Sequence, residues 1–214
     1  MKGIYLHPLP LRIWHWINAG IVIVLIGTGI YLRLHGIAAL EPHDPVLLWH
    51  KRMGLALVLS TVFWFVYTLS SGNLRRHYGI GKKDLKGMFA QANYYLFSIF
   101  TGGKNPFTAT ADDKYNPLQK TAYDAVMFIF LPVLGVTGLL YFDIPVVRRY
   151  LLSENLMGLV GALHVIFSYV VVLFLIAHLY LVTLGDTVFA HTKAMITGYE
   201  ETDNGVKEDE DTLI

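Results

Sequence analysis

The sequence predicts an all-α integral membrane protein built as a bundle of four helices. Its 214 residues are 54% hydrophobic and only 15% charged, whereas a soluble domain is roughly 45–50% apolar and about 25% charged. The apolar residues are concentrated in four runs that carry no Lys, Arg, Asp or Glu away from their ends. Each run approaches or exceeds the roughly 20 residues that a helix needs to cross the hydrocarbon core of a bilayer. This composition argues against a soluble enzyme and excludes a disordered chain.

The four runs predict the spanning helices in order along the chain. The first run resembles a signal peptide, but it is longer than a signal core of roughly 7–15 residues and begins with Trp14, His15 and Trp16. In the third run, Pro132 is expected to kink the helix, which neighbouring helices tolerate in a membrane. All four spans belong to one transmembrane domain of residues 1–199. They cover residues about 13–34, 50–70, 121–142 and 156–185.

The segments between the spans predict the orientation of the bundle. Basic residues are concentrated in the tails and in the loop of residues 72–121, on the side where four crossings also place both termini. By the positive-inside rule, both termini are therefore cytoplasmic. Within that loop, residues about 84–100 alternate apolar and polar side chains and are expected to form a helix in the lipid interface. Residues 200–214 form an acidic tail that is expected to be disordered.

The chain has no cysteine and a net charge of only +1. The lack of cysteine excludes disulfides, thiolate zinc sites, cysteine-ligated iron–sulfur clusters and the CxxCH attachment of a c-type haem. The small net charge gives no reason to expect a nucleic-acid partner. The nine histidines are therefore the only strong ligands for a transition metal.

Four of the histidines lie within or at the mouth of a predicted span, where ionisable side chains are costly and are candidates for function. His164 and His178 are 14 residues apart on the fourth helix, which places them about 21 Å apart along its axis and on one face. His15 begins the first helix at the depth of His178. His50 begins the second helix at the depth of His164. The chain direction therefore predicts two pairs across the bundle, His15 with His178 and His50 with His164.

Two opposed imidazoles at each face of the membrane match the axial ligation of a six-coordinate haem. Zinc would require four ligands in one cluster. A proton relay would be expected to recruit Asp or Glu within the spans, where the sequence shows none. Without CxxCH the haem would be non-covalent, so the pattern predicts two haem b groups. The alternative is that the histidines only bond neighbouring helices.

Cations next to two of these histidines are candidate partners for the haem propionates. Arg12 lies one helical turn before His15, and Arg52 and Lys51 lie beside His50. A guanidinium near the interface would neutralise a propionate carboxylate. The alternative is that these side chains extend along the helix ends to keep their charges in water.

Five stretches carry a resemblance to a known family. The sequence resembles the four-helix dihaem cytochrome b subunits of membrane-bound formate dehydrogenases, NiFe hydrogenases and thiosulfate reductases. The similarity extends over nearly the whole chain up to about residue 199. The matching stretches are HPLPLRIWHWINAG, LLWHKRMGL, KYNPLQK, LHVIFSY and LIAHLYL.

The resemblance implies a role for each of the four histidines. His15 and His178 would bind the haem on the cytoplasmic side, and His50 and His164 the haem on the outer side. Electrons would arrive at the outer face from an iron–sulfur or multihaem subunit of a complex that also contains a catalytic subunit. They would cross through both haems and reduce menaquinone or ubiquinone near the cytoplasmic haem.

For the quinone site, the resemblance points to Asn116, with Gln119 and Lys120 as further candidates. Considered by itself, Asn116 is a neutral donor and acceptor that could bond a quinone carbonyl. It could equally cap a helix or form a turn before Pro117.

The sequence therefore predicts an electron-transfer subunit that is not catalytic on its own for the primary substrate. It would belong to the respiratory chain in a bacterial or archaeal cytoplasmic (inner) membrane. One alternative is a haem-free membrane anchor of an oxidoreductase complex. Another is the same cytochrome working in reverse, as the quinol oxidase subunit of a thiosulfate reductase-like complex. A secondary transporter is disfavoured because the spans show neither intramembrane charge nor an unwound segment.

Overall fold

The computed structural model describes residues 3–36, 43–72, 74, 78, 81–107, 115–142, 147, 153–185 and 187–201. Its helices are, in chain order, α1 Leu9–His35, α2 Pro45–Ser70, α3 Lys82–Leu96, α4 Pro117–Leu140, α5 Glu154–Val182 and α6 Ala190–Thr197. Of these, α1, α2, α4 and α5 are long and apolar enough to cross a membrane. The predicted all-α bundle of four spans is confirmed.

The spanning helices begin two to five residues earlier than predicted, because polar caps and prolines open them. The Asp44 carboxylate accepts hydrogen bonds from the backbone N–H groups of Val46 and Leu47 at 2.8 and 3.1 Å. Pro45 then occupies the first helical position, where its missing N–H costs nothing. Asn116 and Gln119 form a reciprocal capping box at the start of α4.

A π-helical turn, Val126–Phe130, lies within α4 just before Pro132. Proline has no backbone N–H, and its ring collides with the carbonyl of the preceding turn in a regular α-helix. A wider turn at this point relieves that collision. The helix therefore continues past Pro132 to Leu140 as a single span.

The bundle packs in sequence order, α1 on α2, α2 on α4 and α4 on α5. Its buried cluster consists of Trp64, Val126 and Met127. Outside this cluster, large apolar side chains are mostly exposed, with 64% of Ile23 and 65% of Leu173 accessible. Such surfaces are stable in lipid, where helices need no polar outer face.

The helix predicted at about 84–100 is α3, which is followed by a 3₁₀ turn, Ser98–Thr101. One side of α3 packs against the first turns of α4. Phe89 and Leu96 are left largely exposed, as are Phe97 and Phe100 beyond the helix. An exposed apolar side of this kind suits a lipid interface.

A short antiparallel ribbon joins the segment before α1 to the segment after α6. Its strands are β1, Gly3–Tyr5, and β2, Tyr199–Glu201, and Tyr5 pairs with Tyr199. This pairing places both ends of the bundle on one side. The predicted acidic tail of residues 200–214 begins inside β2, and its remainder, 202–214, lies outside the described residues.

Candidate functional site

The structure brings the four intramembrane histidines together as two pairs. The ring centres of His15 and His178 are 6.3 Å apart, and those of His50 and His164 are 6.5 Å apart. In each pair one imidazole comes from α5. We call His15–His178 the termini-side pair, because it lies on the side of the β1–β2 ribbon, and His50–His164 the far-side pair.

The spacing of each pair fits one metal ion between two imidazoles. An imidazole nitrogen binds a metal ion at about 2 Å and the ring centre lies about 1.2 Å behind it, so opposed ligands have ring centres about 6.4 Å apart. In the described part of the chain, no three or more His, Cys, Asp or Glu residues form a group that could hold a metal ion. Two nitrogens per site are the donor set of a haem, whose macrocycle supplies the other four ligands.

Threonine hydroxyls from neighbouring helices contact both imidazoles of the far-side pair. The Oγ1 atom of Thr28 on α1 lies 2.8 Å from Nδ1 of His50. The Oγ1 atom of Thr137 on α4 lies 2.9 Å from Nδ1 of His164. Such contacts orient a metal-binding imidazole and fix its tautomer.

A glycine follows each of these threonines and lies beside the imidazole. A Cβ atom added to Gly29 would lie 3.5 Å from Cε1 of His50, and one added to Gly138 would lie 3.4 Å from Cε1 of His164. The same Thr-Gly dipeptide therefore supports a histidine in each half of the bundle. This role was not predicted from the sequence, although the dipeptide is repeated in the first and third spans.

Aromatic rings pack against the termini-side pair. The His15 ring meets Trp16 edge to face, with centres 5.1 Å apart, and the His178 ring stacks on Phe174 at 5.8 Å. Nδ1 of His15 is buried and has no hydrogen-bond partner among the described residues. The two pairs therefore differ in what orients their imidazoles.

A polar tie beside His15 joins α1 to α2. The Asn18 amide donates hydrogen bonds to the Trp14 carbonyl at 2.7 Å and to the Ser60 hydroxyl at 2.6 Å. The Trp14 indole N–H donates to the Ser60 carbonyl at 3.0 Å. These bonds fix the helix turn that carries His15.

The predicted propionate partners lie at opposite ends of the bundle. Arg12 donates a hydrogen bond from Nη1 to the carbonyl of Ile196 in α6, and its Nε atom is buried without a partner among the described residues. Arg52 is exposed on α2. The Lys51 ammonium lies 5.8 Å from the centre of the Phe142 ring. Arg12 thus has a structural partner that the sequence analysis did not foresee.

Each of the three predicted quinone residues contacts a neighbour at the junction of α3 and α4. Asn116, only 4% exposed, accepts from the Gln119 N–H at 2.8 Å and donates to the Tyr95 hydroxyl at 3.1 Å. Lys120 pairs with Asp84 at 3.1 Å. Burial would raise the pKa of Asp84, but the Gly81 N–H and Lys120 outweigh it and hold that pKa below its usual value.

The third span contains a carboxylate, contrary to the prediction that the spans lack acidic residues. Asp124 lies in the second turn of α4 and is only 8% exposed. It faces a tyrosine cluster in which Tyr78 is hydrogen-bonded to Tyr115 and Trp64. Burial, reinforced by the charge of Asp124, raises the pKa of Tyr78 to about 12. Asp124 was not counted among the residues of the span because it lies just before the uninterrupted apolar run.

Comparison with known proteins identifies the family of the chain. Residues 6–198 match the prokaryotic cytochrome b561 family. The Escherichia coli (strain K12) protein YdhU, whose name describes it as a cytochrome, is 34% identical over 206 residues, covering 92% of this chain and 75% of YdhU. No solved structure matches the chain. The four apolar spans and the prokaryotic family make it a multi-pass prokaryotic membrane protein. The chain therefore belongs to the prokaryotic cytochrome b561 family, whose members are membrane electron-transfer proteins that bind haem b.

Proposed function

We propose that the chain is the membrane subunit of a respiratory oxidoreductase complex and holds two haem b groups, one between the imidazoles of each pair. Electrons would pass between a redox partner at the outer face and a quinone near the cytoplasmic face, as in formate dehydrogenase-type quinone reductases. The termini-side pair would be cytoplasmic, because basic residues are concentrated in the tails and in residues 72–121. The catalytic subunit that acts on the primary substrate would be a separate chain.

The spacing of the two histidine pairs carries this proposal. Each pair has the ring-centre separation that would let both imidazoles bind one iron. The 14 residues of α5 between His164 and His178 separate the pairs by about 21 Å along that helix. One helix would therefore set the distance between the two irons.

Haem, when bound in these positions, supplies one-electron chemistry. The imidazoles of His15 and His178 would hold one haem, and those of His50 and His164 would hold the other. With two protein ligands at each iron, the haems would serve electron transfer rather than the binding of oxygen or a substrate. The surrounding apolar helices would exclude water from both sites.

The quinone would bind beside the termini-side pair, where cytoplasmic protons are available. Reduction of a quinone to a quinol takes up two electrons and two protons, so both must reach one place. An apolar groove of about 440 Å³ opens between α1 and α2 on this side and would suit a hydrophobic quinone tail. Its lining comprises Leu9, Pro10, Ile13, Trp14, Ile17, Ser60 and Phe63.

A haem count tests the proposed site. We expect two haem b groups per purified wild-type chain in a pyridine haemochrome assay. His178→Ala and His164→Ala should each retain one haem. The control His35→Ala changes an exposed histidine at the end of α1 and should retain two. A wild-type count of zero or one would contradict the proposal, as would two haems in either paired-histidine variant.

A second experiment asks whether Asn116 binds quinone or only caps α4. Asn116→Asp keeps the oxygen that accepts from the Gln119 N–H and removes the amide that donates to Tyr95. Asn116→Ala removes both groups. If the amide binds quinone, both variants should lose quinone reduction while the aspartate variant retains wild-type thermal stability. Wild-type turnover in Asn116→Asp would make the residue a cap alone.

A further inference from the structure

Two threonine hydroxyls determine which nitrogen of the far-side imidazoles carries the proton. Oγ1 of Thr28 lies 2.7 Å from the Val24 carbonyl oxygen, and Oγ1 of Thr137 lies 2.7 Å from the Val133 carbonyl oxygen. A carbonyl oxygen has no hydrogen to donate, so the single hydroxyl hydrogen must be directed to it. Each Oγ1 atom is then left as an acceptor for the imidazole Nδ1, at 2.8 and 2.9 Å.

This assignment makes Nδ1 of His50 and of His164 the protonated nitrogen. The Nε2 lone pair of each ring is then free to bind a metal ion. A donated Nδ1–H bond also gives the ring some imidazolate character, so Nε2 becomes a more basic ligand. A more basic axial ligand stabilises ferric over ferrous iron and lowers the midpoint potential.

We propose that Thr28 and Thr137 are positioning residues that fix this tautomer and lower the midpoint potential of the far-side haem. The proposal rests on the proposed function, because it requires haem between His50 and His164. The two threonines act in the same direction, since each accepts from one of the two axial ligands.

No such hydroxyl contact is found for the termini-side pair in the part of the chain that the structure describes. Its rings pack against Trp16 and Phe174, and among the described residues no group accepts a hydrogen bond from Nδ1 of His15. The far-side haem would therefore have the lower potential of the two. That order favours electron transfer from the far side toward the termini side, the direction that reduces a quinone at the cytoplasmic face.

The test is a spectroscopic redox titration of hydroxyl and methyl variants. Thr28→Val and Thr137→Val remove the hydroxyl at nearly constant volume, whereas Thr28→Ser and Thr137→Ser retain it. Thr61→Val is the matched control, because the Thr61 hydroxyl donates to the Leu57 carbonyl of its own helix and no histidine contact is found for it in the described residues. The spectrum that disappears in His164→Ala identifies the far-side haem.

Each valine substitution is expected to raise the far-side midpoint potential by about 59 mV, which is a tenfold change in a one-electron reduction constant. The double valine variant should show the larger shift. Both serine variants and Thr61→Val should retain the wild-type potentials, and the termini-side potential should not move. An unchanged or lowered far-side potential in the double valine variant, with both haems bound, would overturn the proposal.

If the valine variants lose haem, the haem content and midpoint potentials of the serine variants provide the test. If the hydroxyl is the group that acts, the serine variants must bind both haems at wild-type potentials. A serine variant that loses haem would show that the shape of the threonine side chain, and not its hydroxyl, supports the site. That result would also overturn the proposal. Failure of the proposed function has a different signature. In that case the wild-type protein itself would contain fewer than two haems.

Discussion

In the far-side pair each imidazole lies against a threonine hydroxyl of a neighbouring helix, whereas in the termini-side pair each imidazole packs against an aromatic ring. The far-side arrangement occurs once in each half of the bundle, through the Thr-Gly steps at Thr28 and Thr137. The termini-side arrangement has no such repeat. It depends on the Trp64 cluster and on the Asn18 tie between α1 and α2.

The difference shows two ways of orienting a histidine within apolar helices. A hydroxyl fixes the ring through one directional bond and also changes its basicity. Aromatic packing restricts the ring by shape and leaves its basicity largely unchanged. At the far-side pair, removal of a single hydroxyl should therefore alter the midpoint potential. At the termini-side pair, a change in side-chain volume should alter the stability.

Removal of the central aromatic residue on the termini side should have the largest effect. Trp64 is 2% exposed and contacts Trp14, Tyr78 and Phe128. Trp64→Ala should lower the free energy of unfolding by about 3–5 kcal/mol, and the termini-side haem should be lost first on heating. Absorbance of each haem against temperature measures this. Leu59→Ala, at a position 62% exposed on the same helix, is the control. Loss of both haems at the same temperature would contradict a specific role of Trp64 in stabilising the termini-side pair.

The polar tie beside His15 should be the next most sensitive feature. Asn18→Ala removes the amide that bonds Ser60 across the α1–α2 interface. Interhelical hydrogen bonds in membranes contribute about 0.6–1.7 kcal/mol, so unfolding in detergent mixtures should shift by that amount. The same variant should leave the far-side midpoint potential unchanged. A shift in that potential would show that the termini-side pair and the far-side pair are coupled.

A comparable bond on the far side gives a somewhat smaller expected change. The Tyr141 hydroxyl donates to the Met157 carbonyl at 3.0 Å, next to the His164 ring. Tyr141→Phe should cost about 0.5–1.5 kcal/mol with both haems retained. Denaturant titration measures the loss. Loss of the far-side haem in this variant would mean that the tyrosine, in addition to Thr137, positions His164.

The ion pair between α3 and α4 should have the smallest effect. Asp84 and Lys120 are partly exposed, so their pair is expected to contribute only about 0.2–1 kcal/mol. Because the folded pKa of Asp84 is lowered, this stabilisation is present above the unfolded pKa of about 3.9. It is lost as the pH falls through the lower folded value. Unfolding curves of wild type and Asp84→Asn should therefore converge in acid; a difference that grows with acidity would contradict this assignment.

The histidine pairs could be predicted because they depend on helix geometry and chain direction alone. A separation of 14 residues places His164 and His178 on one face of any α-helix, and alternating spans supply their partners. A cap at Asn116 was one of the two roles that the sequence offered for this residue, and the helix start at Asp44-Pro45 could also have been located from its cap.

Other features depend on contacts that a linear pattern does not contain. A threonine in an apolar helix usually bonds its own backbone, and only the neighbouring helix shows that Thr28 also meets His50. Arg12 bonds the carbonyl of Ile196, which is 184 residues away. Strands of three residues, such as β1 and β2, are too short to show a period.

The shared use of α5 by both pairs has a consequence for biosynthesis. α5 is the last of the four spans to be translated, and it supplies one imidazole to each pair. A nascent chain that has inserted only α1, α2 and α4 therefore presents two single histidines and no completed site. If the pairs hold haem as proposed, neither haem could be bound by both of its imidazoles before α5 is inserted.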